Sequence, residues 1–204
     1  MTITLDHLAV AGETLEDAVA TVEQALGVQM QPGGQHDVFN THNAVMGMAD
    51  GLYLEAIAAD PSKPAPHRPR WFDLDNFHGP ARLTNWICRS DDLPKVLHKM
   101  PLGAGEPVAL SRGDLRWRMA VPGSGKLPFD NLFPPLIQWD CDVHPAWRLP
   151  NTGVRLRRLI VSHPEVALLR GVLVGQFADP RVVFEAGAPA LRAEFDTPHG
   201  VRSL

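Results

Sequence analysis

The apolar residues in the first part of the chain fall into segments of different period. Residues 3–10 are mostly apolar and lack a helical stripe, which predicts a β-strand. The next apolar side chains recur at three- and four-residue spacing, which is typical of an amphipathic helix. These side chains are Leu15, Ala18, Val19, Val22, Ala25 and Leu26. We expect Thr14 to cap this helix, with Asp17 at its third position, and Gly27 to end it.

Two further strands complete this first unit. Residues 43–48 and 52–58 are apolar runs separated by Asp-Gly at 50–51, a pair that is typical of hairpin turns. The Pro-Gly-Gly segment at 32–34 is interpreted as a turn. Three strands and one helix are thus located before residue 60, and the segment is expected to form a β-α-β-β-β unit whose remaining strand has no predicted bounds.

The same order of elements returns after a proline-rich segment. Residues 61–80 include Trp71 and Phe72 and are interpreted as a linker or lid. Pro94 is tolerated in the first turn of the short helix that follows. The second unit has predicted strands at 82–89, 107–111, 115–121 and 135–139, with the helix at 91–99.

A third, shorter unit follows, and it ends before a full fourth strand. Its predicted elements are a strand at 154–161, a helix at 164–174 and strands at 182–185 and 191–195. The 19 prolines and 17 glycines agree with many short elements joined by turns. We predict a single α+β domain with module 1 at 1–60, a lid at 61–80, module 2 at 81–150 and a partial module 3 at 151–204.

Composition narrows the functional classes. The formal net charge of the 204 residues is −4, so no basic surface is expected for nucleic acid or an anionic membrane. Cys88 and Cys141 are too few for a disulfide framework or a four-cysteine zinc site, and free thiols favour a reducing compartment. The N-terminus lacks a signal-peptide pattern, and no run approaches the roughly 18 apolar residues of a membrane helix. We expect a cytoplasmic protein.

A family resemblance is carried by LDHLAVAGETLEDAV, GGQHDVFNTHNAV and DGLYLEAIA in the first unit. It continues in RWFDLD, NWICRSDDL, LRWRMAVP, PLIQWD, HPAWRLP and EFDTPHG. In this order, the chain resembles the glyoxalase-like domains of the vicinal oxygen chelate superfamily. The resemblance implies paired β-α-β-β-β modules that curl into an open mixed barrel around a pocket. Members include isomerases, epimerases, extradiol dioxygenases, thiol transferases and drug-sequestering proteins, so it implies no single reaction.

The resemblance also implies a candidate metal site. In metal-dependent relatives each half supplies two ligands to a divalent ion, here Zn, Ni, Mn or Fe. His7 and Glu55 match the first-half positions, and His36 is a further candidate ligand. Aligning the two units sets Asn85 against His7 and Gln138 against Glu55, and neutral amides are poor ligands for transition metals. Strand alternation is expected to place Ile3, Leu5, His7 and Ala9 on one face.

Three interpretations of His7 and Glu55 are open. The two residues hold a metal ion together with His36. Alternatively, they form a buried hydrogen bond that keeps two strands in register. In the third interpretation both are catalytic without metal: Glu55 is a general base whose pKa is raised by an apolar wall, and His7 orients it.

Polar residues near these positions, together with several indoles, are candidates for binding a substrate. They are His36, Asn43, Trp71, Asn85, Trp86, Arg112, Trp117 and Gln138. Indoles are most often core residues, but in a pocket they favour a flat or hydrophobic ligand. Arg112 and Arg116 flank a turn; one of them binds a substrate carboxylate, or both form a solvated hairpin tip. His144, before Pro145, is interpreted as a turn residue.

We expect a small-molecule enzyme of the glyoxalase-like type, a lyase, isomerase or dioxygenase that acts on a substrate with adjacent oxygen atoms. The alternative is a metal-free protein of the same fold that binds or sequesters a small molecule, as bleomycin-resistance proteins do. The incomplete third unit leaves a sheet edge, which predicts a homodimer. Neither nucleic acid nor membrane is an expected partner.

Overall fold

The computed structural model describes residues 2–204, which form two β-sheets and three α-helices. The strands are β1 (Thr4–Ala11), β2 (Gln31–His36), β3 (Thr41–Gly47), β4 (Tyr53–Ala59), β5 (Arg82–Arg89), β6 (Glu106–Arg112), β7 (Leu115–Val121), β8 (Leu136–Trp139), β9 (Arg155–Ser162), β10 (Val182–Glu185), β11 (Ala190–Thr197) and β12 (Gly200–Ser203). The α-helices are α1 (Leu15–Leu26), α2 (Leu93–Leu97) and α3 (Val166–Leu173). Short 3-10 helices lie at Ala49–Gly51, Trp71–Asn76 and Pro145–Arg148. Within 2–204, no helix combines the length and the hydropathy that crossing a membrane requires.

The larger sheet consists of two copies of one module. Its strand order is β2-β3-β4-β1-β5-β8-β7-β6, so the first strands of the two modules, β1 and β5, pair antiparallel at the centre. β4 runs parallel to β1, and β8 runs parallel to β5. The outer strands β2 and β6 contact each other, so the sheet curls into a barrel. The predicted α+β fold of repeated βαβββ modules is confirmed.

The pairing of β1 with β5 determines how the modules correspond. His7 lies opposite Ile87, and Asn85 lies opposite Ala9. A two-fold rotation that places His7 on Asn85 also places Ala9 on Ile87. It therefore converts the pair of His7 and Ile87 into the pair of Asn85 and Ala9. The alignment of His7 with Asn85 agrees with this register.

α1 forms where the sequence predicts it, because its apolar residues share a face and both ends are capped. Thr14 Oγ1 accepts a hydrogen bond from the backbone N–H of Asp17 at 3.1 Å. Gly27 ends the helix with a left-handed φ of 70°. The buried residues of the helix are Ala18, Val22 and Leu26. The predicted bounds and caps are confirmed, and α1 covers the outside of the barrel.

The third unit forms a sheet of its own with a different strand order. β10, the first strand after α3, pairs in parallel directly with β9, whereas in both modules the strand after the helix is outermost. β11 pairs antiparallel on the other side of β9. β12 then pairs with β11, so the fourth strand that the sequence pattern does not predict is present. This sheet contacts the barrel through β5 and α1.

The predicted lid contains a fixed wall of the barrel. Trp71 and Phe72 are buried, and the Trp71 ring stacks on Phe39 with centroids 4.5 Å apart. Phe72 and Asp73 adopt positive φ angles of 60° and 58°, and the Asp73 N–H donates to the carbonyl of Gly125 at 3.0 Å. The segment is therefore held against the second module, and a 3-10 helix replaces the predicted irregular chain.

Candidate functional site

A β-bulge at Asp6 turns two consecutive side chains toward the barrel interior. β1 pairs with β5 through Leu5 and next through His7, so no residue of β5 lies opposite Asp6 in the register, although Arg89 Nη1 lies 3.6 Å from its carboxylate. The extra residue shifts the alternation of side chains by one. Ile3 and Leu5 therefore pack on the helix side of the sheet, while His7 and Ala9 face the interior. The expectation that all four share one face is wrong for Ile3 and Leu5.

Four ionisable side chains form a continuous chain inside the barrel. The Nε2 atom of His7 lies 3.7 Å from Oε2 of Glu55, and its Nδ1 lies 2.6 Å from Oδ1 of Asp6. The other oxygen of Asp6 accepts hydrogen bonds from His144 Nε2 at 2.8 Å and from Trp139 Nε1 at 3.2 Å. Asp6, His7 and Glu55 are 0%, 1% and 5% exposed, so solvent hardly screens these interactions.

The carboxylates keep His7 protonated. Burial disfavours the imidazolium, but the hydrogen bond to Asp6 and the negative charges of Asp6 and Glu55 outweigh burial and raise the pKa of His7 to about 9. Burial also disfavours both carboxylates. It is outweighed for Asp6 by hydrogen bonds from His144 and His7, and for Glu55 by the charge of the nearby His7 and a hydrogen bond from Asn43. These interactions hold the pKa of each carboxyl below its usual range. At neutral pH an imidazolium therefore faces a carboxylate.

A second polar group lies beside Glu55. Asn43 Nδ2 donates to Glu55 Oε1, and Asn43 Oδ1 accepts from Nη1 of Arg112 at 2.9 Å. The same Nη1 lies 3.2 Å from Nε2 of His36, whose Nδ1 lies 3.0 Å from Oγ1 of Thr41. Burial lowers the pKa of His36 to about 4, and the Arg112 guanidinium acts in the same direction. His36 is therefore neutral and accepts from Arg112, which remains the cation of this group.

The glycines of β2 make room for this polar group. A Cβ atom on Gly33 would overlap Oδ1 of Asn43, and one on Gly34 would lie 2.7 Å from Cδ of Arg112. The register between β2 and β3 is irregular here, so the Pro-Gly-Gly segment forms a bulge within a strand. The predicted turn at 32–34 is therefore wrong. The glycines are needed because side chains from β3 and β6 pass close to the β2 backbone.

The polar groups line one side of a cavity of about 170 Å³. The rest of its wall is mainly apolar and aromatic, and includes Val45, Tyr53, Trp71, Phe72, Leu115, Trp117, Met119, Ile137, Trp139 and Leu149. Tyr53 stacks on His7 with ring centroids 4.3 Å apart, which helps to fix the imidazole plane. A cavity of about 150 Å³ accommodates a benzene ring, so the body of a ligand enclosed here is small.

Most of the sequence-predicted site residues line this cavity. They are His7, His36, Asn43, Glu55, Trp71, Arg112 and Trp117. Trp86 does not, because it is fully buried on the helix side of the sheet. Its Nε1 donates to the carbonyl of Leu132 at 2.8 Å, and its ring contacts Phe177 and Phe184. Trp86 is thus a core residue that joins the two sheets.

Asn85 and Gln138 also lie outside the cavity wall. Asn85 Nδ2 donates to the carbonyl of Asn131 at 3.3 Å, and the Asn131 side chain in turn donates to the carbonyl of Phe72. Gln138 Oε1 accepts from the backbone N–H of Leu93 at 2.7 Å, which ties β8 to the start of α2. Both amides therefore bond to other parts of the fold and lie outside the cavity in which they were predicted to bind substrate, although Asn85 Oδ1 is buried without a partner among residues 2–204.

The strand register explains the misplacement of Gln138. Ala56 on β4 lies opposite a residue of β1, and Leu136 on β8 lies opposite the corresponding residue of β5. Ala56 and Leu136 therefore occupy equivalent positions in the two modules. Glu55 therefore corresponds to Pro135 rather than to Gln138, and the sequence alignment of these strands is out by three residues. Proline has no ligand side chain, so the second module contributes no counterpart of Glu55.

The donor set does not fit a divalent metal ion. Within residues 2–204, no three His, Cys, Asp or Glu side chains are placed to share an ion. Asp6 and Glu55 raise the pKa of His7, which disfavours the neutral imidazole that a metal ligand requires. The lone pair on His36 Nε2 accepts from the Arg112 guanidinium, whose positive charge opposes a second cation. The geometry does not support the metal site predicted at His7, Glu55 and His36.

Sequence reasoning missed Asp6, Trp139 and His144. Neighbouring residues of a strand normally face opposite sides, so only the bulge brings Asp6 to His7, and no sequence signal for the bulge is evident. His144 does cap the 3-10 helix after it, since its Nδ1 accepts from the N–H of Ala146 at 3.2 Å. The turn interpretation is therefore confirmed, but it leaves out the second ring nitrogen, which reaches Asp6 across 138 residues of sequence.

A family model described as a glyoxalase-like domain matches residues 5–176. A hypothetical protein from Staphylococcus aureus shares the fold with a TM-score of 0.64 and 14% identity, over 92% of this chain and 87% of that one. Methylmalonyl-CoA epimerase from Mycobacterium tuberculosis has a TM-score of 0.43 and 17% identity, over 68% and 88%. A variant of the Streptomyces coelicolor enzyme in complex with 2-nitronate-propionyl-CoA has a TM-score of 0.46 and 14% identity, over 69% and 99%. No curated protein matches the sequence.

Proposed function

The chain belongs to the glyoxalase-like domain family of the vicinal oxygen chelate superfamily, and we propose that it is an enzyme of the isomerase or lyase class. It moves a proton at a carbon next to a carbonyl group of a small molecule with adjacent oxygen atoms. The observation that carries this proposal is a carboxylate, Glu55, and an imidazolium, His7, that both line one small cavity 3.7 Å apart.

The chemistry divides between these two side chains. Glu55 Oε2 takes the proton from the substrate C–H bond, and the electrons of that bond form a carbon–carbon double bond. The carbonyl π electrons move to oxygen, and the His7 Nε2–H donates a hydrogen bond to the developing oxyanion. Return of the proton to another position completes an isomerisation, and loss of a neighbouring leaving group completes an elimination. Neither outcome requires a metal or a redox partner.

The polar chain behind His7 supports this division of roles. Asp6 holds the Nδ1 proton of His7, which leaves the Nε2–H for the cavity side. Asp6 is in turn held by His144 and Trp139. Without substrate, the attraction between His7 and Glu55 lowers the pKa of Glu55. A substrate oxygen placed between the two side chains weakens this attraction. The basicity of Glu55 is therefore expected to rise when substrate binds. We assign Asp6 the part of a positioning residue.

Solvent deuterium incorporation tests the proposal. A panel of small 2-oxo acids and 2-hydroxy ketones is incubated with the protein in D₂O, and exchange of the C–H next to the carbonyl is followed by NMR. We expect exchange with at least one compound, reduced about 10²–10⁴-fold in Glu55→Gln, the usual contribution of a general base. Glu16→Gln, which changes an exposed carboxylate on α1, is the matched control and should leave the rate unchanged. Equal rates in Glu55→Gln and wild type would exclude Glu55 as the base.

A binding protein without chemistry is the second candidate, and the aromatic wall of the cavity favours it. Trp71, Trp117 and Trp139 surround a space that suits a flat apolar ligand whatever the reactivity of Glu55. Tight binding of a small molecule, with no exchange or turnover of any panel compound, would favour this candidate over the enzyme.

A metal-assisted reaction, including a dioxygenase, is the less favoured form of the enzyme, because the cavity residues do not offer a suitable donor set. We also propose a cytoplasmic location, which the two free thiols support. A homodimer remains a proposal supported by the open edge of the small sheet at β12, whose residues are all exposed. Light scattering that showed only monomer at high concentration would count against the dimer.

A further inference from the structure

Arg112 lies in the cavity wall, and its guanidinium forms no salt bridge with an acidic side chain of residues 2–204. Both hydrogen bonds that it makes within residues 2–204 come from Nη1, to Asn43 and His36, and neither partner carries a negative charge. Arg148, which also lines the cavity, pairs instead with Asp114 at 2.7 Å. Arg112 thus lines the cavity without a direct salt bridge to an acidic side chain of residues 2–204, and Glu55 reaches it only through Asn43.

The guanidinium is held in position for a ligand. Asn43 and His36 fix one of its terminal nitrogens, and its Cδ packs against the backbone at Gly34. Nε and Nη2 form no hydrogen bond with the described residues, and these two nitrogens are the edge of a guanidinium that accepts a carboxylate in a bidentate pair. Because the side chain is already ordered, binding an anion costs little conformational entropy.

The aromatic part of the wall, where Trp71 and Trp117 pack around His36, defines the body of such a ligand. The Trp71, Trp117 and Trp139 indoles line a cavity of about 170 Å³, close to the roughly 150 Å³ that accommodates benzene.

We propose that the cavity binds a small carboxylate with a flat body about the size of a benzene ring, and that Arg112 holds the carboxylate. This inference deepens the proposed function and rests on the same cavity. The Asn43 side chain bridges Arg112 Nη1 and Glu55, so Arg112 and the catalytic pair belong to one connected polar group in the cavity wall. A 2-oxo acid with an aromatic ring meets every requirement: adjacent oxygens, an acidic C–H bond and a flat apolar body.

Calorimetric titration with phenylacetate and with its neutral isostere phenylacetamide tests the inference. Wild-type protein should bind the acid about 10- to 100-fold more tightly than the amide, the range expected for hydrogen bonds to a charged group. Arg112→Gln should remove this preference, because it weakens binding of the acid and leaves the affinity for the amide within twofold of the wild type. Arg112→Lys should keep part of the preference. Arg116→Gln is the matched control, because Arg116 lies on the same hairpin but bonds only to the Gly113 and Leu115 carbonyls.

Three results would overturn the inference: equal binding of acid and amide by the wild type, an equal loss of both in a folded Arg112→Gln variant, or binding of neither. The wild-type comparison is decisive even if a variant does not fold. Binding requires no proton transfer, so the two proposals fail separately. If the protein prefers the acid but catalyses no deuterium exchange in phenylpyruvate, the result would count against the proposed function alone. Exchange in other carbonyl compounds, without acid preference, would count against the carboxylate site alone.

Discussion

At the scale of single residues, one extra residue in β1 creates the acid–base chain. The residue types and strand positions of His7 and Glu55 are visible in the sequence, and both lie in the cavity as expected. The charge of His7 is not visible there, because it depends on Asp6, which the bulge turns inward. One of the three interpretations from sequence gave Glu55 a pKa raised by an apolar wall. The structure gives the opposite direction, because the His7 imidazolium outweighs burial.

Removing the charge of Asp6 tests this account of His7. In Asp6→Asn the pKa of His7, measured by NMR titration, should fall from about 9 toward its ordinary value of 6.5, because the largest favourable interaction of the imidazolium is lost. The folded wild type keeps a proton that the unfolded chain releases near pH 6.5. His7 therefore contributes stability that is fully present below pH 6.5 and is lost as the pH rises through about 9.

Urea unfolding between pH 6.5 and pH 9 measures that contribution. The shift corresponds to a free energy on the order of 3 kcal/mol in the wild type, and the pH slope should be smaller in Asp6→Asn. Asp17→Asn changes an exposed carboxylate on α1 and should leave the slope as it is. The account of His7 is wrong if Asp6→Asn leaves both its pKa and the slope unchanged.

At the scale of elements, local signals predicted what local forces determine. α1 has its predicted bounds because Thr14, Gly27 and the apolar spacing are all near one another in sequence. β2 was missed because its two glycines resemble a turn, whereas they are there for side chains that arrive from β3 and β6. The order of the third sheet was missed for a similar reason, since pairing between distant strands leaves no trace in the local pattern.

The crowding at β2 predicts a contrast between two glycines. Gly33→Ala should lower the free energy of unfolding by roughly 1–3 kcal/mol, the usual cost of forcing extra atoms into a packed region, because its Cβ would overlap Asn43. Gly123→Ala has nothing within 4 Å of the added atom and should change stability by less than about 0.5 kcal/mol. Equal effects of the two substitutions in chemical denaturation would contradict the close approach described for β2.

At the scale of the whole molecule, a nearly symmetric barrel carries an asymmetric site. The modules are related by a two-fold operation at β1 and β5, yet the counterparts of His7 and Glu55 are Asn85 and Pro135. The chain of Asn85, Asn131 and Phe72 fills the corresponding space in the second half. The repeat could be predicted from sequence, but the exact correspondence of Glu55 could not, because it depends on strand register.

The central claim is that Glu55 and His7 move a proton without a metal ion. Its most direct test is the rate of solvent deuterium exchange after exhaustive dialysis against a chelator, before and after addition of Zn²⁺, Ni²⁺, Mn²⁺ or Fe²⁺. The account predicts that the dialysed protein retains its full rate, that no added ion raises it, and that Glu55→Gln lowers it about 10²–10⁴-fold. A dialysed protein that is inactive and regains its rate with one of these ions would contradict the account.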